Sequence, residues 1–344
     1  MKDREVCFDY LRIISAIGVI IIHVCAMQWS TLDIHSGQWV CLHIYDMLMK
    51  FSVPIFFMIS GRFFLDPTRE MPIIKIWNKS LRIIVVFIFW SVVYTILNVC
   101  RVIGEGGSLR ENLNWIIIEF FSGEYHMWFL YAILGLYLVT PLLRKIVENK
   151  ALIEYFLILF IVFGLAWPTA EQIPKIGVLF SNIGTSMSFR MTTGYVGCYM
   201  LGYYLYKYSL SQKKKTIIYV LGILSAVFSI VATLLVSWRT GAASEQLASY
   251  LTLNVVLTST AIYIAVLNFF KNKKAKKTVT LISKYSFGCY LIHPLFLWIF
   301  EWIGFVPSIF CTAISVPLIS LCALILSLLI TMIFDKIPYL RKVI

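Results

Sequence analysis

Arg12 and His23 lie eleven positions apart in the first long apolar segment of the chain, where hydrocarbon would exclude both side chains. Ionisable groups at membrane depth are costly, so they usually face the interior of a helical bundle and have a function there. Eleven helical steps of about 100° return to the same helix face, about 16 Å further along the axis. Imidazole suits proton transfer near neutral pH, and guanidinium suits phosphate binding. The spacing therefore predicts both chemistries on one face.

Three further residues accompany this pair at the predicted inner surface. Asp9 lies one turn before Arg12 and is expected to orient it. Lys79 and Arg82 are three positions apart, so both project from one side of a helix. They either help to bind an anionic donor or act as ordinary anchors that set the membrane topology.

A second group of candidates is predicted at the opposite surface or within the membrane. Glu124, His126 and Trp128 form a cluster that could bind a sugar by hydrogen bonds and stacking, or belong to an interfacial aromatic belt. His293 precedes Pro294 in mid-span, where it either lines a cavity or satisfies carbonyls freed by the proline. All three cluster residues and His293 are therefore predicted acceptor or cavity residues.

Lys50 lies four positions after Asp46, so the two can form an ion pair on one helix face. The alternative is that Lys50 contacts the acceptor or a developing oxyanion. Ser60 and Gly61 follow Pro54 and are expected to end a span, with a kink and close packing there. The eight cysteines, His35 and His43 show no metal-like spacing, so no metal site is predicted.

The composition identifies the class of protein. Apolar residues make up 60% of the chain, charged residues only 14%, and the mean hydropathy is +0.84. These values predict an all-α, polytopic membrane bundle, a single domain over residues 1–344. Crossing about 30 Å of hydrocarbon takes about 20 residues. About ten segments qualify: 9–28, 45–65, 80–100, 124–143, 151–168, 191–208, 216–237, 249–270, 281–302 and 310–334, with a shorter interfacial piece at 114–122.

Most of the 30 basic residues fall in alternate connections between these spans. Basic residues are retained on the cytoplasmic side, so both termini are predicted to be cytoplasmic. The leader before the first span does not resemble a cleavable signal peptide, and this span is expected to stay in the mature protein. The net charge of +13 is explained by topology and by contact with anionic lipid, without a nucleic-acid partner. The short loops leave any chemistry to the bundle itself.

Four motifs resemble those of the integral-membrane acyltransferase 3 family, in order along the chain. They are the Arg-x10-His pattern from Arg12 to His23, VPIFFMISG at 53–61, HMWFLY at 126–131 continuing to LYLVTPLL at 136–143, and SFGCYLIHP at 286–294. The resemblance implies transfer of an acyl group, most often acetyl, from cytosolic acyl-CoA to a hydroxyl of an extracytoplasmic or lipid-linked glycan or related acceptor. It implies an acyl-CoA co-substrate, no permanently bound cofactor, and a multi-pass location in a bacterial plasma membrane.

Within that chemistry, His23 is the predicted general base for the attacking hydroxyl, and Arg12 is predicted to bind the donor. Lys79 and Arg82 occupy positions similar to an Arg-x-x-Arg motif that the family uses for donor binding, although the first position here is Lys. The alternative is that neither residue is catalytic: the Arg12 side chain extends to the cytoplasmic surface, and His23 only makes a hydrogen bond to a neighbouring helix.

Two other classes of function remain open from the sequence. In the first, the chain is a relative, or the detached membrane half, of vancomycin-resistance-type serine racemases, whose membrane part resembles this same family and would handle an amino acid substrate. A secondary transporter with His23, Lys50 and His293 in a proton path is the other alternative. No internal repeat is evident in the sequence, and many transporters contain one.

Overall fold

The structure is a computed structural model that describes residues 5–104, 106, 113–172, 194–271, 273–274 and 276–344. These residues form helices and no strand, which confirms the predicted all-α class. The described α-helices are α1 (Val6–Ala26), α2 (Gly37–Met49), α3 (Ser52–Phe64), α4 (Ile73–Gly104), α5 (Leu113–Ser122), α6 (Trp128–Val147), α7 (Lys150–Leu159), α8 (Trp167–Glu171), α9 (Tyr195–Lys207), α10 (Gln212–Thr240), α11 (Leu253–Phe270), α12 (Lys277–Trp302) and α13 (Thr312–Lys336).

Nine segments among the described residues are long and apolar enough to cross a membrane. Two of them join two α-helices: α2 with α3 over Gly37–Phe64, and α7 with α8 through a π-helical stretch at Phe160–Ala166. These nine match nine of the ten predicted spans. The remaining prediction, 191–208, contains α9, which has 13 residues, and its first three positions lie outside the described residues. The predicted interfacial piece at 114–122 coincides with α5.

Helix α1 is the most enclosed of the nine spans, with 67% of its apolar window buried. It packs against α2, α3, α11, α12 and α13. A helix surrounded on several sides can carry Asp9, Arg12 and His23 without exposing them to lipid. The central position of α1 is therefore what makes its polar residues tolerable.

The outer helices present apolar side chains instead. Only 22% of the apolar window of α10 is buried, and its exposed residues include Val220, Leu224 and Val231. An apolar surface of this extent would promote aggregation in water and is suited to lipid. The chain is therefore a multi-pass membrane protein.

The second span differs in detail from the prediction for Ser60 and Gly61. The chain breaks at Lys50 and Phe51, and α3 then continues past Gly61 to Phe64. Ser60 and Gly61 thus lie in the last turn of the span rather than at its final residue. The expected kink within α3 is wrong, because Pro54 lies in the first turn of α3, where a missing N–H removes no helical bond. Close packing is present: a Cβ added to Gly61 would overlap the carbonyl oxygen of Tyr199 in α9.

We predict that Gly61→Ala destabilises the protein, because the added methyl group forces α3 and α9 apart. Overpacking of this kind costs about 1–3 kcal/mol. The measurement is the thermal unfolding midpoint of detergent-solubilised protein. Gly135→Ala in α6 is the matched control, since nothing lies within 4 Å of its added Cβ. Equal midpoints for the two variants would contradict the close approach of α3 to α9.

Candidate active site

Arg12 and His23 line one partly open cavity of about 1100 Å³. Its walls come from α1, α3, α4, α6 and α12, from the loop between α3 and α4, and from His126, Tyr250 and Ile344 outside these elements. The two side chains therefore share a cavity as well as a helix face. Between them, Val19 and Ile22 of α1 provide an apolar stretch of wall.

We call one part of this cavity the basic end. It consists of Arg12, Arg69, Lys75, Lys79, Arg82 and Lys284. Among the described residues, no side-chain carboxylate lies within 4.0 Å of Lys79 or Arg82, and Arg82 donates to the backbone oxygen of Ile344 at 2.8 Å. Arg12, Arg69 and Lys284 each have a carboxylate partner, but the six cations outnumber Glu70, which is the one acidic residue among the described lining residues. The excess of positive charge attracts anions, so this end is suited to a phosphate-bearing ligand.

Asp9, one helical turn before Arg12, holds the Arg12 side chain in place. The Arg12 guanidinium lies 3.3 Å from the Asp9 carboxylate, which also accepts a hydrogen bond from Ser283 Oγ at 2.6 Å. Asp9 is almost fully buried, whereas 31% of the Arg12 side chain is exposed. Asp9 thus connects α1 to α12 and leaves part of the guanidinium open to the cavity.

The loop between α3 and α4, which supplies Arg69 to the basic end, is fixed by Arg144 of α6. Arg144 donates to the backbone carbonyls of Phe64, Asp66 and Arg69 at 2.8–2.9 Å. Burial disfavours the charged form of Asp66, but hydrogen bonds from Thr68 and from an arginine of α3 outweigh it and hold the pKa of Asp66 below its usual value. The loop is therefore anchored at neutral pH.

We call the other part of the cavity the histidine end, defined by His23 and His126. His23 Nδ1 lies 2.7 Å from Nε2 of His293, and His293 Nδ1 lies 3.1 Å from the carbonyl oxygen of Cys289. The His23 and His293 rings are parallel, with centroids 5.0 Å apart. His293 is fully buried. The two imidazoles therefore form one hydrogen-bonded unit, with the His23 side facing the cavity.

His126 is 2% exposed, and neither of its ring nitrogens makes a hydrogen bond of normal geometry within the described residues. Its ring centroid lies 6.4 Å from that of His23 and 5.1 Å from that of Tyr290. A buried polar group without a partner is rare and calls for an explanation. For a residue in a cavity wall, a hydrogen bond to a bound ligand is such an explanation.

Trp128 and Tyr250 add flat aromatic faces beside the histidine end. Both line the cavity, and their rings stack with centroids 5.9 Å apart. Trp128 also stacks on Tyr195, at 5.4 Å. This arrangement offers stacking surfaces where the sequence predicts acceptor binding.

Lys50 is not among the residues that line this cavity. Of the two roles considered for it, the structure shows the ion pair, and contact with the acceptor stays a prediction. Its Nζ lies 3.1 Å from Asp46 and 2.6 Å from Glu245, and the Lys50 side chain is only 3% exposed. The predicted ion pair with Asp46 is thus present, and Glu245 completes it from the loop after α10. Charge neutralised in this way is accommodated inside the bundle without facing the cavity.

Glu124 and His293 are also absent from the cavity wall formed by the described residues. The Glu124 carboxylate accepts a hydrogen bond from Asn98 at 3.3 Å, and the Asn98 amide also bonds Glu119 at 2.7 Å. Asn98 therefore draws Glu124 towards α4. His293 lies behind His23, as described above. Of the five predicted acceptor or cavity residues, His126 and Trp128 line the cavity.

The sequence reasoning missed several wall residues. Lys75 precedes Lys79 by one helical turn and shares its face, so the Lys-x3-Lys-x2-Arg spacing was a usable signal. Arg69, Tyr250 and Lys284 come from distant parts of the chain and give no local signal. Among the described residues, no group of His, Cys, Asp or Glu side chains is placed to hold a metal ion.

The fold and the cavity define an integral-membrane helical protein with an internal polar site. The family model described as an acyltransferase domain, that of the acyltransferase 3 family, matches residues 5–336, nearly the whole chain. The chain therefore belongs to this family and is a membrane acyltransferase. No curated protein and no solved structure matches it.

We predict that Lys50→Met strongly destabilises the protein, because it leaves the buried Asp46 carboxylate without its cation. Breaking a buried pair on one side costs about 3–5 kcal/mol. Asp46→Asn added to Lys50→Met should recover most of the loss, and Glu245→Gln alone should cost much less, since half of that side chain is exposed. Thermal unfolding in detergent measures all three. No recovery in the double variant would show that charge is not the cause.

Proposed function

We propose that this acyltransferase is an O-acyltransferase that moves an acyl group, acetyl being the first candidate, from cytosolic acyl-CoA to a hydroxyl of a glycan-type acceptor. The acceptor is extracytoplasmic or lipid-linked. The observation that carries the proposal is the single cavity with the basic end at one side and the histidine end at the other. This arrangement supports a donor and an acceptor that enter from opposite membrane surfaces. The membrane in the proposal is a cell membrane.

The basic end would hold the phosphates of the donor. Arg12 offers a planar fork for phosphate oxygens, while Lys75, Lys79 and Arg82 add positive charge from α4. The apolar wall beyond Arg12 suits the uncharged pantetheine arm. The thioester would then lie near His23, about 16 Å along α1 from Arg12.

Acyl transfer at the histidine end needs a base. His23 takes the proton of the acceptor hydroxyl as its oxygen attacks the thioester carbonyl carbon. The new C–O bond forms, the C–S bond breaks, and His23 returns the proton to the departing thiolate. The products are the ester and free CoA, so no other reactant is required.

The acceptor would bind beside His23, against the flat faces of Trp128 and Tyr250. Stacking on aromatic rings combined with polar contacts is a common mode of binding for ring-shaped hydrophilic ligands. His126 supplies ring nitrogens that make no hydrogen bond of normal geometry within the described part of the chain. Glu124, which accepts a hydrogen bond from Asn98, would act on the acceptor through the segment that carries His126.

We predict that His23→Ala lowers the turnover number by about 100-fold or more, because general base catalysis contributes about 10²–10⁴-fold. Acyl-CoA affinity should change little. Transfer or slow hydrolysis of radiolabelled acetyl-CoA by purified protein in nanodiscs provides the measurement. His35→Gln, a histidine outside the cavity, is the control. Full turnover in His23→Ala would rule out His23 as the base.

We predict that Arg12→Ala and Arg82→Gln weaken acyl-CoA binding by about 10-fold or more, since hydrogen bonds to charged groups contribute about 1.5–3 kcal/mol each. Arg12→Lys should fall between wild type and Arg12→Ala, because it keeps the charge but loses the planar fork. Equilibrium binding of labelled acetyl-CoA measures the effect.

The control for these variants is Lys271→Gln, which removes one exposed cation outside the cavity. It should leave binding unchanged. An equal loss in Lys271→Gln would mean that net charge, not the basic end, attracts the donor. Wild-type protein that ignores acetyl-CoA but moves labelled serine or another solute into proteoliposomes would overturn the proposed function as a whole.

A further inference from the structure

The hydrogen bonds behind His23 have a direction that follows from simple chemistry. A backbone carbonyl only accepts, so His293 Nδ1, at 3.1 Å from the Cys289 oxygen, must carry its hydrogen. In a neutral imidazole the other nitrogen is then bare, and His293 Nε2 is an acceptor. Its neighbour at 2.7 Å, His23 Nδ1, must therefore be the donor.

This direction determines the state of the nitrogen that faces the cavity. With its hydrogen on Nδ1, neutral His23 has a bare Nε2 that can take a proton. If His293 carried an extra proton instead, its Nε2–H would donate to His23 Nδ1. His23 would then hold its hydrogen on Nε2 and could not act as a base.

We propose that His293 is a positioning residue that fixes His23 in the tautomer able to accept a proton at Nε2. The inference rests on the proposed function, in which His23 is the base. In many enzymes, a buried carboxylate accepts a hydrogen bond from the catalytic histidine and fixes its tautomer and ring orientation. Here His293 would do the same for His23 through one hydrogen bond.

The pair also accommodates the charge that forms during transfer. When His23 Nε2 takes the hydroxyl proton, the Nδ1 hydrogen between the two rings can move towards His293 Nε2. The positive charge is then spread over both imidazoles, and the Cys289 carbonyl accepts from the far side. A neutral acceptor such as an amide oxygen can hold the tautomer but cannot take up this proton.

The test uses three variants of the full-length protein in nanodiscs. His293→Gln places an amide oxygen where Nε2 lies and keeps an acceptor for His23, whereas His293→Leu removes the acceptor. His43→Gln is the matched control: His43 is also fully buried and also bonds a backbone carbonyl, that of Ile230, outside the cavity.

Two readouts separate positioning from a structural role. Solid-state ¹⁵N NMR of histidine-labelled protein reports which ring nitrogen is bare, and the chain contains only five histidines to assign. We expect a bare Nε2 on His23 in wild type and in His293→Gln, and a change in the tautomer in His293→Leu. Turnover should fall about 100-fold in His293→Leu, the scale of lost general base catalysis. It should fall clearly less in His293→Gln, with acyl-CoA affinity unchanged in both.

A hydrogen on Nε2 of His23 in the wild type would overturn the inference, even if acyl transfer is observed. Equal losses of turnover in His293→Gln and His293→Leu, with the tautomer unchanged, would also overturn it. If the wild type transfers no acyl group, the proposed function fails. The NMR result then still decides whether His293 sets the tautomer.

Discussion

Hydrocarbon offers no hydrogen bond to an ionisable side chain, and this constraint accounts for the position of nearly every polar residue discussed above. Each such group must face a partner or a water-accessible cavity. Helix α1 can carry Asp9, Arg12 and His23 only because five other helices surround it. The cavity exists where those polar faces meet, and its two ends follow from the positions of the charged and imidazole groups along one helix.

An ionisable side chain at membrane depth can meet this constraint either by facing the cavity or by pairing with an opposite charge inside the bundle. The sequence does not distinguish between these two cases. Arg12 and His23 face the cavity, whereas Lys50 is neutralised by Asp46 and Glu245 within the bundle. An ionisable residue at membrane depth therefore predicts an interior position reliably, but not a place in the cavity wall. Glu124 illustrates the point, because an amide from α4 satisfies it away from the wall.

What could be predicted from the sequence is what depends on local periodicity. The spans follow from hydropathy, the shared face of Arg12 and His23 follows from helical spacing, and so does the pair of Lys50 with Asp46. The bond between Lys50 and Glu245 joins residues 195 positions apart, and that between His23 and His293 joins residues 270 apart. Such contacts depend on how the helices assemble, for which a single sequence carries no local signal.

In the proposed reaction, the distance between the two ends of the cavity separates donor binding from proton transfer. Both Arg12 and His23 belong to one α-helix, so their separation cannot change without breaking that helix. The wall of α1 between them is formed by Val19 and Ile22, which carry no groups that transfer protons. A proton taken up at His23 therefore has no path along this wall to the basic end. In the proposed reaction, the proton would instead pass from the two imidazoles to the departing thiolate beside His23, which would couple the release of the proton to completion of the transfer.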